Sequence, residues 1–174
     1  MRITWFGGRC FRIKFSENDF VFYPKEARAD FNAAALVGDA IAVENASHEM
    51  FTPLIASPET SNSGRLIDVM DDPERFLSGE GQFVLDAPPD ERLVIKDLSA
   101  AMRDEVGSWQ NGAVVLSVGS FEQCLAQLND GSLNTARQLI FAVVDPQALD
   151  MDRLAAAAGK MRIQLAEIGL AIEL

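Results

Sequence analysis

The chain has one histidine, His48, and two cysteines, Cys10 and Cys124. A metal site built on two or more imidazoles is therefore excluded. The same count leaves Cys10 and His48 as the candidate thiolate–imidazole pair for nucleophilic catalysis. No third residue type in the sequence marks itself as their partner, so the plainer expectation is a cysteine packed in a sheet and a histidine on a loop. Oxygen ligands for a hard cation would have to come from Glu44, Asn45 and Glu49, or from Asp71, Asp72 and Glu74. Neither group has the alternation of a calcium loop, and acidic loops are ordinarily solvated. Gly7-Gly8-Arg9 and Gly79-Glu80-Gly81 read as tight turns. No Gly-Lys-Ser/Thr follows either, and neither opens a dinucleotide-binding helix. Ser117, Ser120 and Ser132 lack the Gly-x-Ser-x-Gly context of a hydrolase elbow.

Composition narrows the classes further. The 174 residues suit one domain, long enough to bury about 70% of the unfolded surface. Lys and Arg number 15 against 26 Asp and Glu, a net charge of −11 that argues against binding a phosphate backbone. No run of about 18 apolar residues is present, so no membrane-spanning helix is expected. Met1–Gly8 has no basic stretch followed by an apolar run, so no signal peptide is expected and a cytoplasmic setting is. Two cysteines do not make a disulfide framework, and reduced, buried thiols are the simpler reading. A single Cys10–Cys124 bridge stays open as the alternative.

The elements that must position these residues are mostly short strands. Ile3 and Trp5 begin one, and Gly7-Gly8 breaks it. Phe11, Ile13 and Phe15 alternate with Arg12 and Lys14, the period of a half-buried strand. Ser16–Asp19 is a turn, and Phe20–Tyr23 is a third strand ended by Pro24, which completes an antiparallel meander. The aromatic residues of these strands read as core. Residues 25–38 are weakly helical, and Asp39–Val43 is a short buried strand. Residues 44–64 read as an irregular connection with one helical turn near Glu49. Arg65–Met70 and Gln82–Leu85 read as strands around the acidic turn at 71–74. Arg92–Ile95 is another strand, entered through Pro88-Pro89, and residues 98–106 have helical spacing. Asn111-Gly112 is a turn before the strand Ala113–Val118. Phe121–Leu128 is a helix, Gln138–Val144 a buried strand, and Met151–Met161 a helix with Asp150 as N-cap and Gly159 able to end it. Ile168–Leu174 is a last strand. The pattern predicts an α+β fold of stacked mixed sheets with outer helices, not an alternating doubly wound sheet.

The order of landmarks resembles the metallo-β-lactamase-fold hydrolases, in their small lactonase-like, zinc-dependent branch. Met1–Ile13, reading Met-Arg-Ile-Thr-Trp-Phe-Gly-Gly-Arg-Cys-Phe-Arg-Ile, is similar to the first strands of that branch. Phe22-Tyr23-Pro24 stands where the family has Ile-Asp-Pro. Asp39–Glu44 then runs into Asn45-Ala46-Ser47-His48-Glu49-Met50, where the family carries His-x-His-x-Asp-His. Val114–Gly119 ends in Ser120, where the family has a metal-bridging aspartate after glycine. The resemblance implies a truncated αβ/βα sandwich with its metal centre erased. The matching positions are Asn45, Ser47, Glu49, Met50 and Ser120, and His48 falls on a spacer. Gly8 stands where the branch often has a histidine. Asn, Ser and Met are neutral or soft donors, and without an ion nothing lowers a bound water's pKa.

The expectation is a protein without metal or other cofactor, acting as a binding, scaffold or regulatory protein, with Gly8, Asn45, Ser47, Glu49, Met50 and Ser120 around a remnant cleft. Its partner would be a protein or a small molecule, a second copy of the chain included, and neither nucleic acid nor membrane. The competing readings are a hydrolase or lactonase-like enzyme using Cys10, His48 or acidic residues, and a small-ligand sensor using the cleft as an apolar pocket.

Overall fold

The computed structural model describes residues 1–54, 74–87, 91–100 and 106–174. The opening meander forms as its alternation predicts, with β1 (Arg2–Trp5), β2 (Phe11–Phe15) and β3 (Asn18–Phe22) antiparallel in turn. Ile3, Trp5, Phe11, Ile13, Phe15, Phe20 and Phe22 all point into the core. Residues 25–38 give a 3₁₀ turn at Pro24–Glu26 and a short helix, α1 (Ala33–Val37), capped by the Asn32 side chain. β4 (Ile41–Val43) then adds parallel to β3, and β12 (Ala171–Glu173) adds antiparallel to β1. The first sheet thus runs β12-β1-β2-β3-β4.

The second sheet contains β5 (Thr52–Pro53), β6 (Arg75–Gly79), β7 (Gln82–Ala87), β8 (Glu91–Asp97), β9 (Val114–Gly119), β10 (Gln138–Val143) and β11 (Ile163–Leu165). Its order is β11-β10-β9-β8-β7-β6-β5. Strands β8 to β11 are mutually parallel, and β6, β7 and β8 are antiparallel neighbours. The helices α2 (Phe121–Asn129) and α3 (Met151–Ala158) connect β9 to β10 and β10 to β11. The strand order advances in one direction through these crossovers, so both helices fall on one face of the sheet, as uniform handedness requires. This half therefore mixes strand and helix after the opening meander, with helices on one face only and no doubly wound sheet.

The chain is α+β, with two mixed sheets. One apolar cluster joins the inner faces of both, with the Phe51 ring in edge-on or tilted contact with Phe20, Phe22 and Phe83. A second lies between the seven-stranded sheet and its helices, around Trp109, Phe121, Leu125 and Phe141. The outer face of the five-stranded sheet is polar. Arg2 stands opposite Lys14 there, and the charges are answered by Glu173 and Asp19.

Three strand assignments need correction. The partner of β7 is Arg75–Gly79, which the sequence reading passed over in favour of 65–70. The edge strands β5 and β11 were not expected. Residues near Glu49 form turns and no helical turn. The expected strand Arg65–Met70, the turn at 71–73, Pro88-Pro89 and most of the 98–106 helix lie outside the described residues.

Candidate functional site

The parallel strands β8, β9, β10 and β11 end at Asp97, Gly119, Val143 and Leu165, on one end of the sandwich. Ligand sites of open α/β sheets favour this end. From the other sheet, the β1–β2 turn and the residue after β3 arrive at the same place. The turn needs its glycines: Gly8 has φ 49°, and a Cβ there would sit 2.8 Å from the Glu26 carbonyl. Trp5 Nε1 donates to the Gly8 carbonyl at 2.9 Å and ties the turn to the sheet.

The next residue, Arg9, closes this end. Its Nε donates to Glu26 at 2.7 Å, Nη2 donates to the other Glu26 oxygen, and Nη1 donates to Asp97 at 3.1 Å. The guanidinium also lies 4.4 Å over the Tyr23 ring. The hydrogen bond it donates to Glu26 holds its pKa above the ordinary arginine value, against the opposing effect of burial. Tyr23 itself is held in the left-handed region, φ 45° and ψ 54°, which costs a non-glycine residue about 1 kcal/mol or more. Burial raises its phenol pKa. Behind these side chains the free space is about 10 Å³, the scale of one water.

The expected remnant-cleft residues are placed as follows. Gly8 is beside Glu26 and Arg9. Ser120 is the N-cap of α2 in a capping box, its hydroxyl accepting from Gln123 N while Gln123 Oε1 accepts from Ser120 N at 2.7 Å. Gln123 Nε2 in turn donates to the Leu98 carbonyl at 2.9 Å, next to Asp97. A chain of contacts thus connects Ser120 with Arg9 and Gly8. Gly119 leaves no room for a side chain, since a Cβ would lie 2.8 Å from Leu98 Cβ.

The loop after β4 contributes differently. Asn45, Ser47 and Glu49 are exposed, and Asn45 Oδ1 accepts from Ser47 N at 2.8 Å in a local turn. Met50 packs against the inter-sheet core. His48 is half-buried: Nδ1 accepts from Met50 N at 3.3 Å, and the ring stands edge-on to Phe51. No hydrogen bond joins His48 to Cys10. Cys10 and Cys124 are free and buried, and burial pushes each thiol up to about 12. A thiol at that value carries almost no thiolate at neutral pH.

The other candidates are structural. Glu44 pairs with Lys25, and Glu74 accepts from Asn18. Gly79–Gly81 makes the β6–β7 hairpin. Ser117 donates to Gln127 within the buried layer under α2, and Ser132 N donates to Asp130. Among the described residues, no group of three or more His, Cys, Asp or Glu side chains is disposed to hold a metal ion.

Beside the Arg9 cluster a cavity of about 570 Å³ opens at the ends of β1, β10 and β11. Its walls are mainly apolar, with Arg28 and Glu167 as the charged members. Sequence reasoning found neither this cavity nor the cluster Arg9, Tyr23, Glu26 and Asp97. Asp97 lies 88 residues from Arg9, and no local pattern announces such a pair.

No protein-family model, curated protein or solved structure matches this chain. No helix among the described residues is long and apolar enough to cross a membrane.

Proposed function

We propose that this protein is a non-catalytic binding or regulatory protein on a degenerate sandwich of the metallo-β-lactamase type, and that Arg9 supplies the positive charge a metal centre would supply there. The observation that carries this reading is the Arg9 guanidinium bridging Glu26 and Asp97 between Gly8 and the Ser120 cap. A fixed guanidinium compensates nearby carboxylates without recruiting an ion, and it cannot activate water as a zinc ion does. The family part of the reading is supported by the sequence resemblance over Met1–Pro24 and Asp39–Met50.

The hydrolase alternative is disfavoured by the buried, protonated thiol of Cys10 and by the exposure of Asn45, Ser47 and Glu49. The small-ligand reading is favoured by the apolar cavity beside Arg9. A cytoplasmic setting and a partner that is neither nucleic acid nor membrane belong to the same proposal. A second copy of the chain is the first protein partner to test, by light scattering across a dilution series. The direct test of the main reading is the metal content of the protein as purified without added ions or chelator. Zinc, manganese and iron well below one per chain are expected; one tightly held ion per chain would overturn it.

A further inference from the structure

We infer that the cavity at the ends of β1, β10 and β11 takes a small amphipathic cation, an apolar body with an ammonium group. The inference rests on the binding reading above and names the ligand class it implies. The volume of about 570 Å³ lies in the range of small-molecule sites. Trp5, Phe141, Val143, Leu149, Leu165 and Ile168 supply an apolar wall that favours a hydrocarbon or aromatic body.

Charge selects the sign of the other end. The lining carries one guanidinium and one carboxylate. Arg28 is already committed: its Nε donates to Asp30 at 2.7 Å, and its guanidinium lies 5.8 Å from the Phe31 ring centroid. Glu167 is exposed and has no hydrogen-bonding or ionic side-chain partner among the described residues. The lining therefore offers an unanswered carboxylate beside an answered cation. A ligand ammonium completes Glu167, whereas a ligand carboxylate is repelled by Glu167 and meets an Arg28 charge that Asp30 already answers. The net charge of −11 draws cations toward the surface in the same sense.

Trp5 provides the reading. Its indole N–H donates to Gly8 at the cavity wall, while Trp109 is buried in the other cluster. Two indole signals in a ¹⁵N–¹H spectrum then give a probe and an internal control. The probes are octylammonium, octanoate and 1-octanol, titrated into the intact chain and into Glu167→Gln. Octylammonium is expected to move the Trp5 signal saturably and leave that of Trp109 in place. Octanoate should bind at least about tenfold more weakly, and Glu167→Gln should weaken octylammonium about tenfold while leaving octanol unchanged.

Glu167 is exposed, so its substitution does not threaten folding. Equal binding of octanoate and octylammonium, or an unchanged amine affinity in Glu167→Gln, would overturn the charge assignment. Absence of saturable binding by all the probes would overturn the cavity as a ligand site, while the metal content would still judge the non-catalytic reading separately. A Trp5 signal that shifts with protein concentration alone would assign the cavity to a second copy and overturn the small cation.

Discussion

Burial holds both thiols in the neutral form at neutral pH. Cys10 and Cys124 are both buried, and burial favours the neutral form, so their folded pKa lies above the unfolded one. As pH rises, the unfolded chain loses these protons first. The stabilisation is therefore complete below the ordinary value of 9.0 and is lost as pH climbs from there toward about 12. Thermal melts across this range should show the decline, and a flat profile would contradict it. Likewise, an aromatic disulfide reagent should label neither thiol quickly in the native protein and both in denaturant; rapid native labelling of Cys10 would revive the catalytic cysteine.

Arg9 ties the two sheets together at their shared end. Its side chain is 38% exposed, so water screens part of its pairing with Glu26 and Asp97. Arg9→Ala is expected to cost about 1–2 kcal/mol, short of the roughly 3–5 of a fully buried broken pair. Denaturant unfolding measures this. A double-mutant cycle with Asp97→Asn assigns the share that is pairwise, and zero coupling would show that Arg9 does not hold Asp97.

At the scale of elements, legibility tracked local information. The alternation of Phe11, Ile13 and Phe15 announced β2, and Asp150 announced the start of α3, where its Oδ1 accepts from Asp152 N and Arg153 N. The apolar stripe ran on to Met161, but the helix stops at Ala158 with Gly159 as its cap, the alternative end. The edge strands β5 and β11 were illegible because two or three residues carry too few periods to distinguish a strand from a loop. Ser120 was read through a resemblance as a lost metal position, although Ser120-Phe121-Glu122-Gln123 also spells a capping box. Ser120→Ala should cost about 0.5–2 kcal/mol through the loss of that cap. Ser120→Asp should retain most of the stability, since an aspartate also caps helices. Equal losses in both variants would mean that the cap is not what Ser120 supplies.

At the scale of the molecule, the two sheets bring together residues no local pattern connects. Arg9 finds Glu26 at a separation of 17 and Asp97 at 88, and in sequence all three look like solvated charges. Three buried polar side chains, Gln82, Lys96 and Ser117, also align across β7, β8 and β9 beneath the helices, a layer visible only once the register is known. Apolar pattern foretold the stacking of sheets; the electrostatics of their shared end depended on tertiary register.

In the proposed reading this end is completed by Arg9, the chain's own cation, which leaves no site for a metal. The most direct measurement is the melting temperature with and without excess Zn²⁺ or Mn²⁺, after chelator treatment. An ion binding the folded state at a Kd of about 1 μM would, at about 100 μM free ion, add about 2.7 kcal/mol. For a chain of this length that is a rise of roughly 5–10 °C. No rise is expected for either ion. A saturable rise of that size, abolished by chelator and weakened by substitution at Asn45, Glu49 or Ser120, would contradict that reading.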